Sequence, residues 1–318
     1  FGPRAMAALG ALMLSLGFLA LSRVWSTTAY VAILVLIGLL TATSTPVPYT
    51  RAVSAAFERS RGLALGLTQV GIGLAAAVVP PLIAIVIARY GWREGFLALA
   101  ALAALGILPA LLGLPGRAPL AAEAPSESYS AVRTSPLFHL QYLAFCAMAF
   151  AFAGMLSHFV PMLREAGMPV QQAGALAGLI GVSVIVTRIL VGWLADRIEP
   201  ARLGCASCLL CAAGCAVLAF GGPAMAPIGA IALGAAMGAE ADLIGILTAR
   251  HFPLAAYSRA YAAQYGGFIV AAGLSPLWMG QLADLSGGYK SALIAAAGLL
   301  LIPAALFLLL PRLTPRSS

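Results

Sequence analysis

Charge is what this sequence has least of. Of its 318 residues only 9% are Asp, Glu, Lys or Arg, and the acids number 10. A soluble domain carries about 25% charged residues, so this chain cannot clothe a water-facing surface, and a soluble globular enzyme is excluded. Disorder is excluded as well, because 62% of the residues are hydrophobic and unfolded chains are poor in apolar residues. Catalytic signatures are missing: the sequence holds no H-E-x-x-H, G-x-S-x-G or G-x-x-x-x-G-K-[ST], which speaks against a zinc hydrolase, a nucleophile elbow or a phosphate loop. No enzyme activity and no cofactor are expected. Basic residues interleaved with aromatics are also missing, so no nucleic-acid partner is expected. The five cysteines, four of them in one apolar run, do not form the framework of a small secreted domain.

What is present is a series of long apolar runs, and the mean hydropathy is +1.00. A helix crossing the hydrocarbon of a bilayer needs roughly 20 such residues. The runs predict ten membrane helices, at 5–22, 29–48, 62–88, 94–113, 137–162, 172–195, 203–220, 225–248, 258–283 and 289–310. The fold class expected is therefore an all-α polytopic membrane bundle. Its spans are crowded with Gly and Ala, which let helix backbones approach closely in lipid. One connection is long and polar, Leu114 to Ser135, with three Pro and four Ser. It reads as a linker and divides the chain into 1–113, a linker at 114–136, and 137–318.

The net charge of +8 reads as topology. One side of the ten spans receives Arg4, Arg51, Arg59, Arg61, Arg117, Arg133, Arg197, Arg202, Arg250, Arg259, Arg312 and Arg316. The other side receives only Arg23, Arg89, Arg93, Arg164 and Lys290. Cytoplasmic loops carry the excess of Lys and Arg, so the first side, with both chain ends and the linker, is expected in the cytoplasm. A bacterial inner membrane and a monomer in the lipid bilayer are the expected setting. The first span is not expected to be a signal peptide, since nine further spans follow it.

The sixth span ends in Gly192-Trp193-Leu194-Ala195-Asp196-Arg197-Ile198-Glu199-Pro200-Ala201-Arg202. This resembles the loop signature of the major facilitator superfamily, roughly G-x-L-a-D-r-x-G-r-r, which joins the second and third helices of each six-helix half. Glu199-Pro200 stands where the usual Gly follows. The opening Phe1-Gly2-Pro3-Arg4 resembles the tail of the same signature, which implies a chain lacking the family's first two helices. A repeat supports the likeness. Arg61 opens a Gly-rich span with Pro80 and Pro81 that ends at Gly91-Trp92-Arg93, and Arg259 opens another with Pro276 that ends at Gly288-Tyr289-Lys290. The resemblance implies a fourth-to-sixth-helix remnant and third helix in 1–113, helices seven to twelve in 137–318, and a substrate site near the midplane where the halves meet.

Within the superfamily, "RGLALGLTQVGIG", "GWREGF" and "TRILVGWLADR" resemble the monocarboxylate and oxalate/formate transporter group. There an Arg four residues before the loop Gly binds the anion, and Arg188 stands four before Gly192. The acid often found one turn before that Arg is replaced by Val184, and no Lys lies between Arg259 and Asp284. The resemblance implies a small organic anion as substrate, a proton as partner and symport by alternating access. Efflux of hydrophobic or cationic compounds is the alternative, although Val79 before Pro80 departs from the antiporter signature. A non-transporting membrane receptor or sensor on the same fold is a third reading.

The residues themselves point to the same place. Arg188 lies eight residues before Asp196, about 12 Å inside its helix. A charge there needs a watery cavity or an opposite charge, unless it snorkels to the headgroups or forms a structural salt bridge. Its fork suits a carboxylate, because two parallel N–H groups meet two oxygens. Glu240 and Asp242 are the acids inside spans, and they point about 200° apart on a helix. Either can carry a proton, or serve as a structural partner of Arg188. Tyr142, Gln264, Tyr265, Gln69 and Tyr49 are further candidates for substrate contact, or ordinary interhelical hydrogen-bonding groups. His158 can titrate near neutrality, or simply be solvated near its outer helix end. His139 and His251, at cytoplasmic ends, are expected to have no special role. Gly192, Asp196, Arg197 and Arg202 belong to the loop, where the resemblance implies a latch between states. Cys205, Cys208, Cys211 and Cys215 match a ferredoxin spacing, but Ala216 follows the last one and the run is an apolar helix, so small packing residues are expected and no metal.

Overall fold

A computed structural model describes residues 3–41, 61–113 and 126–313 of the chain. Tyr49 and most of the linker lie outside these residues, as does the side chain of Gln69. The described residues form twelve α-helices. They are α1 (Pro3–Ser22), α2 (Thr27–Thr41), α3 (Arg61–Tyr90), α4 (Trp92–Leu105), α5 (Ile107–Gly113), α6 (Ser126–Thr134), α7 (Pro136–Glu165), α8 (Val170–Ala195), α9 (Pro200–Gly221), α10 (Ala226–His251), α11 (Leu254–Ser286) and α12 (Tyr289–Leu313). No strand occurs among them.

Among the described residues, eight stretches are long and apolar enough to cross a membrane. One of them, Pro200–His251, holds both α9 and α10, and α2 is a shorter apolar helix. Each of the ten expected spans thus has a helix, the second as far as Thr41 because 42–48 lie outside the described residues, with two differences. The fourth span breaks at Gly106 into α4 and α5, because Pro109 has no N–H to give the carbonyl of Leu105. The linker contains α6, a nine-residue helix. It stops before Ser135, whose Oγ accepts the Phe138 N–H and starts α7 with Pro136 in the first turn.

The chain divides into two compact units, Phe1–Pro48 with Val79–Glu123, and Tyr49–Val78 with Ala124–Ser318. In the first, α1 packs against α2, α4 and α5. In the second, α7 packs on α11 and α12, α9 on α12 and α10, and α8 on α10. The central member of the second unit is α10, buried on nearly every side between Gly229 and Thr248. Its fit against α8 follows from glycine. A Cβ on Gly234 would meet the carbonyl of Ile180 at 2.5 Å, and one on Gly238 would meet that of Val184 at 2.8 Å. The two backbones touch along a seam of residues four apart, as small residues permit in lipid.

Candidate functional site

The glycine seam continues for one more turn into charge. After Gly234 and Gly238 the next residue on that face of α10 is Asp242, and opposite it on α8 is Arg188. Arg188 Nη1 donates to Asp242 Oδ1 at 2.7 Å. Both residues are buried, 3% and 2% exposed, so neither snorkelling nor bulk solvation describes this Arg. Glu240 lies on another face of the same helix and is also buried, 8% exposed, with no hydrogen-bond partner for Oε2. The two acids point apart, as their spacing requires, yet both are enclosed because α10 is surrounded. Arg188 Nε likewise has an unspent N–H. Glu240 is within electrostatic range of Arg188 and Asp242, of Cys208 and Cys211 on α9, and of Tyr265 on α11. The cluster therefore holds one guanidinium and two carboxyl groups in a setting poor in water.

Toward the end of α10 lies a second polar group, uncharged. His251 Nδ1 donates to Gln141 Oε1 at 2.7 Å, and Gln141 Nε2 donates to Gln264 Oε1 at 2.8 Å. Thr248 adjoins both amides at 3.4 and 3.5 Å. Gln141, Gln264 and Thr248 are fully buried, so this network ties α7, α10 and α11 together. His251, half-buried, thus ties α10 to α7, where no special role was expected at its helix end. Gln141 and Thr248 were not singled out by the sequence, and an amide in an apolar run was the available signal.

The other candidates lie elsewhere. Tyr142 stacks near Phe138 and lines a groove of about 530 Å³ between α7 and α11, to which no residue of the charged cluster contributes. His158, near the C-terminal end of α7, is not simply solvated. Its Nε2 donates to the Pro276 carbonyl at 3.0 Å and its Nδ1 accepts from the Tyr289 hydroxyl at 2.8 Å, joining α7, α11 and α12. His139 is exposed and bonds its own turn through Ser135. Cys205, Cys208, Cys211 and Cys215 are all buried on α9. In the loop, Gly192 is buried, while Asp196, Arg197 and Arg202 are exposed. Arg197 bonds the Trp193 carbonyl and covers its ring. Glu199 precedes α9, which opens on Pro200, and pairs with Arg250 at 3.4 Å.

The described residues thus form a helical bundle with several membrane-length helices and a buried ion pair between two of them. The sequence model of the Major Facilitator Superfamily matches residues 1–239, and the chain belongs to that superfamily. It is 28% identical over 329 residues to monocarboxylate transporter 13 of Bos taurus, covering 98% of this chain and 74% of the relative. It is 26% identical to human monocarboxylate transporter 11, with 84% and 60% covered, and 27% identical to the uncharacterized MFS-type transporter YcxA of Bacillus subtilis, with 62% and 50% covered. The chain thus spans between half and three quarters of these relatives. Among solved structures, the human organic anion transporter MFSD10 superposes with a TM-score of 0.72 at 18% identity, covering 96% of this chain and 77% of that one. The E. coli fucose:proton symporter FucP gives 0.68 at 17% identity, with 96% and 83% covered. These likenesses show the fold. The chain is a multi-pass membrane protein of a transporter family.

Proposed function

We propose that this protein is a secondary active transporter of a small organic anion of the monocarboxylate type, coupled to a proton, working by alternating access. In this reading 1–113 belongs to the N-terminal half, 114–136 is a cytoplasmic linker and 137–318 is the C-terminal half. Both ends of the chain face the cytoplasm of a bacterial inner membrane. Monocarboxylate transporters among the relatives support the substrate class.

The observation that carries the reading is the buried charge count. With Arg188 and Asp242 paired, the cluster is neutral only when Glu240 holds a proton, and a net charge at that depth is costly. A solute carboxylate that takes the fork of Arg188 displaces Asp242, which then needs a proton of its own. Anion and proton therefore enter together, and the loaded site is as neutral as the empty one. Arg188 binds the carboxylate, the two acids handle the proton, and Tyr265 is a further candidate for substrate contact. Tyr142 and Gln264 are further candidates for substrate contact, and His158, held between α7, α11 and α12, is one for the proton.

A second reading is favoured by the ion pair itself: Arg188 and Asp242 can be a staple of α8 to α10 that extends the glycine seam. The test is lactate and pyruvate uptake into vesicles under an inward proton gradient, with Arg188→Lys and the exchanged pair Arg188→Asp/Asp242→Arg alongside. An anion site predicts that both variants fold and lose uptake. Wild-type uptake by the exchanged pair would leave only the staple.

A further inference from the structure

The second unit carries a cavity of about 300 Å³ at the end where α7 and α9 finish and α12 starts. The loop at 192–202 and His251 lie at the other end of the same helices, and no residue of the charged cluster lines this space. Its apolar lining includes Met162, Leu163, Leu218 and Leu293, all buried. Two charged side chains line it as well: Glu165, the last residue of α7, and Lys290, the second of α12. Both are exposed. Among the described residues no ion pair joins them. Lys290 Nζ lies instead 5.4 Å from the centre of the Phe220 ring at the end of α9, an aromatic face that holds the cation in place. Gly222 and Gly287, which also line the cavity, turn with φ of 63° and 72°, and a Cβ on either would meet nothing within 4 Å. The rim is therefore open.

An apolar floor with an acid and a base at its mouth fits an amphiphile whose head carries both charges. The volume is at the small end of ligand sites, room for a headgroup and the start of its glycerol but not for acyl chains. Because α7, α9 and α12 are membrane-length helices, their ends stand where lipid headgroups are. Aromatic and cationic side chains gather at that level, as Phe220 and Lys290 do here.

We propose that this cavity binds the headgroup of phosphatidylethanolamine. Its ammonium meets Glu165, its phosphate meets Lys290, the glycerol rests on the apolar floor, and the chains stay in the bilayer outside the bundle. A primary ammonium offers three N–H donors to the carboxylate, whereas a choline head has none and a glycerol head brings no cation to Glu165. Tyr289 also lines the cavity, and its hydroxyl bonds His158 Nδ1 at 2.8 Å. The bound head thus sits beside the bond that ties α12 to α7 and braces those helix ends. This site is independent of what the protein transports.

The test uses the full chain, stripped of lipid in detergent and titrated with phosphatidylethanolamine, phosphatidylcholine and phosphatidylglycerol of equal chain composition. Bound lipid is counted by native mass spectrometry, and the thermal midpoint is followed in parallel. Phosphatidylethanolamine is expected to bind tightest and to raise the midpoint. Glu165→Gln and Lys290→Gln should each weaken it about fivefold or more, the worth of one charge at the headgroup level, and melt like wild type without lipid because both side chains are exposed. Arg164→Gln, an exposed neighbour outside the cavity lining, should bind as wild type does. Equal binding of the three lipids overturns the headgroup assignment, and so does wild-type retention by both cavity variants. An equal loss in Arg164→Gln marks general surface charge and overturns the site. Glycerophosphoethanolamine, the same head without chains, is added as a competitor. Displacement at the concentration at which the lipid itself competes overturns the lipid in favour of a free zwitterion.

Discussion

The two units of this molecule are both strongly apolar, yet they are held together differently. In the first, α1, α2, α4 and α5 meet mainly through small and aliphatic residues. Gly17 lies against Ile37, Gly95 against Ile87, and Ser15 Oγ donates to the Ala100 carbonyl at 2.8 Å. In the second, polar groups join helix to helix throughout. Besides Arg188–Asp242 and the His251–Gln141–Gln264 series, Ser183 Oγ donates to Ile231 O, the Gly154 N–H donates to Ser275 Oγ, and Trp278 Nε1 donates to Phe150 O. Apolar packing with few polar ties, as among the described residues of the first unit, is what a structural wall needs. Buried polar groups at mid-helix, which are expensive to place there, mark where solute and proton chemistry is to be sought.

The comparison is tested hardest at Arg188. Replacing it by Ala leaves Asp242 buried without its cation, a change that typically costs about 3–5 kcal/mol. Arg188→Ala is expected to lower the thermal midpoint in detergent and to abolish lactate uptake. Removing both partners, in Arg188→Ala/Asp242→Ala, should return most of the stability, since no lone charge remains, while uptake stays absent. Recovery of uptake in the double variant would reduce the pair to a fastening and erase the contrast between the units.

A smaller effect is expected at the seam that positions this pair. In Gly238→Val the new side chain meets the Val184 carbonyl and Thr187 Cβ, the latter 3.0 Å from the first added carbon. Backbone cannot swing away, so overpacking of about 1–3 kcal/mol follows. Gly17→Ala in the first unit meets Cγ1 and Cδ1 of Ile37, and the nearest atoms are all side chain rather than backbone, so side-chain adjustment relieves part of the overlap. Melting of the two variants side by side should place Gly238→Val well below Gly17→Ala. Equal losses would show that the two units are equally tight at their glycines.

How much of this was legible beforehand follows from what each feature depends on. The ten spans depend on local apolar length, so they could be read directly, and Gly106 broke one of them through Pro109. The helix α6 was missed because nine residues with three Ser, between Pro125 and Pro136, carry almost no apolar run. Arg188 and the acids could be found because a charge in an apolar span is conspicuous. That Arg188 meets Asp242 rather than Glu240 could not, since spacing on one helix says nothing about which neighbour each face receives. His251 was misjudged for the same reason. Its position near a helix end suggested no special role, whereas its partner amide lies 110 residues away on α7.

The mildest test lies in the first unit. Ser15→Ala removes the hydroxyl that reaches the Ala100 carbonyl, and interhelical hydrogen bonds in membrane proteins average about 0.6 kcal/mol. The carbonyl already serves its own helix as an acceptor, so it is not orphaned when the hydroxyl goes. A shift of a degree or two in the thermal midpoint and uptake at the wild-type rate are expected. The measurement is informative because Ser15 bridges two helices of this unit. Should its loss impair uptake as severely as that of Arg188, the first unit is no passive wall, and the search for solute contacts has to begin again at α1 and α4.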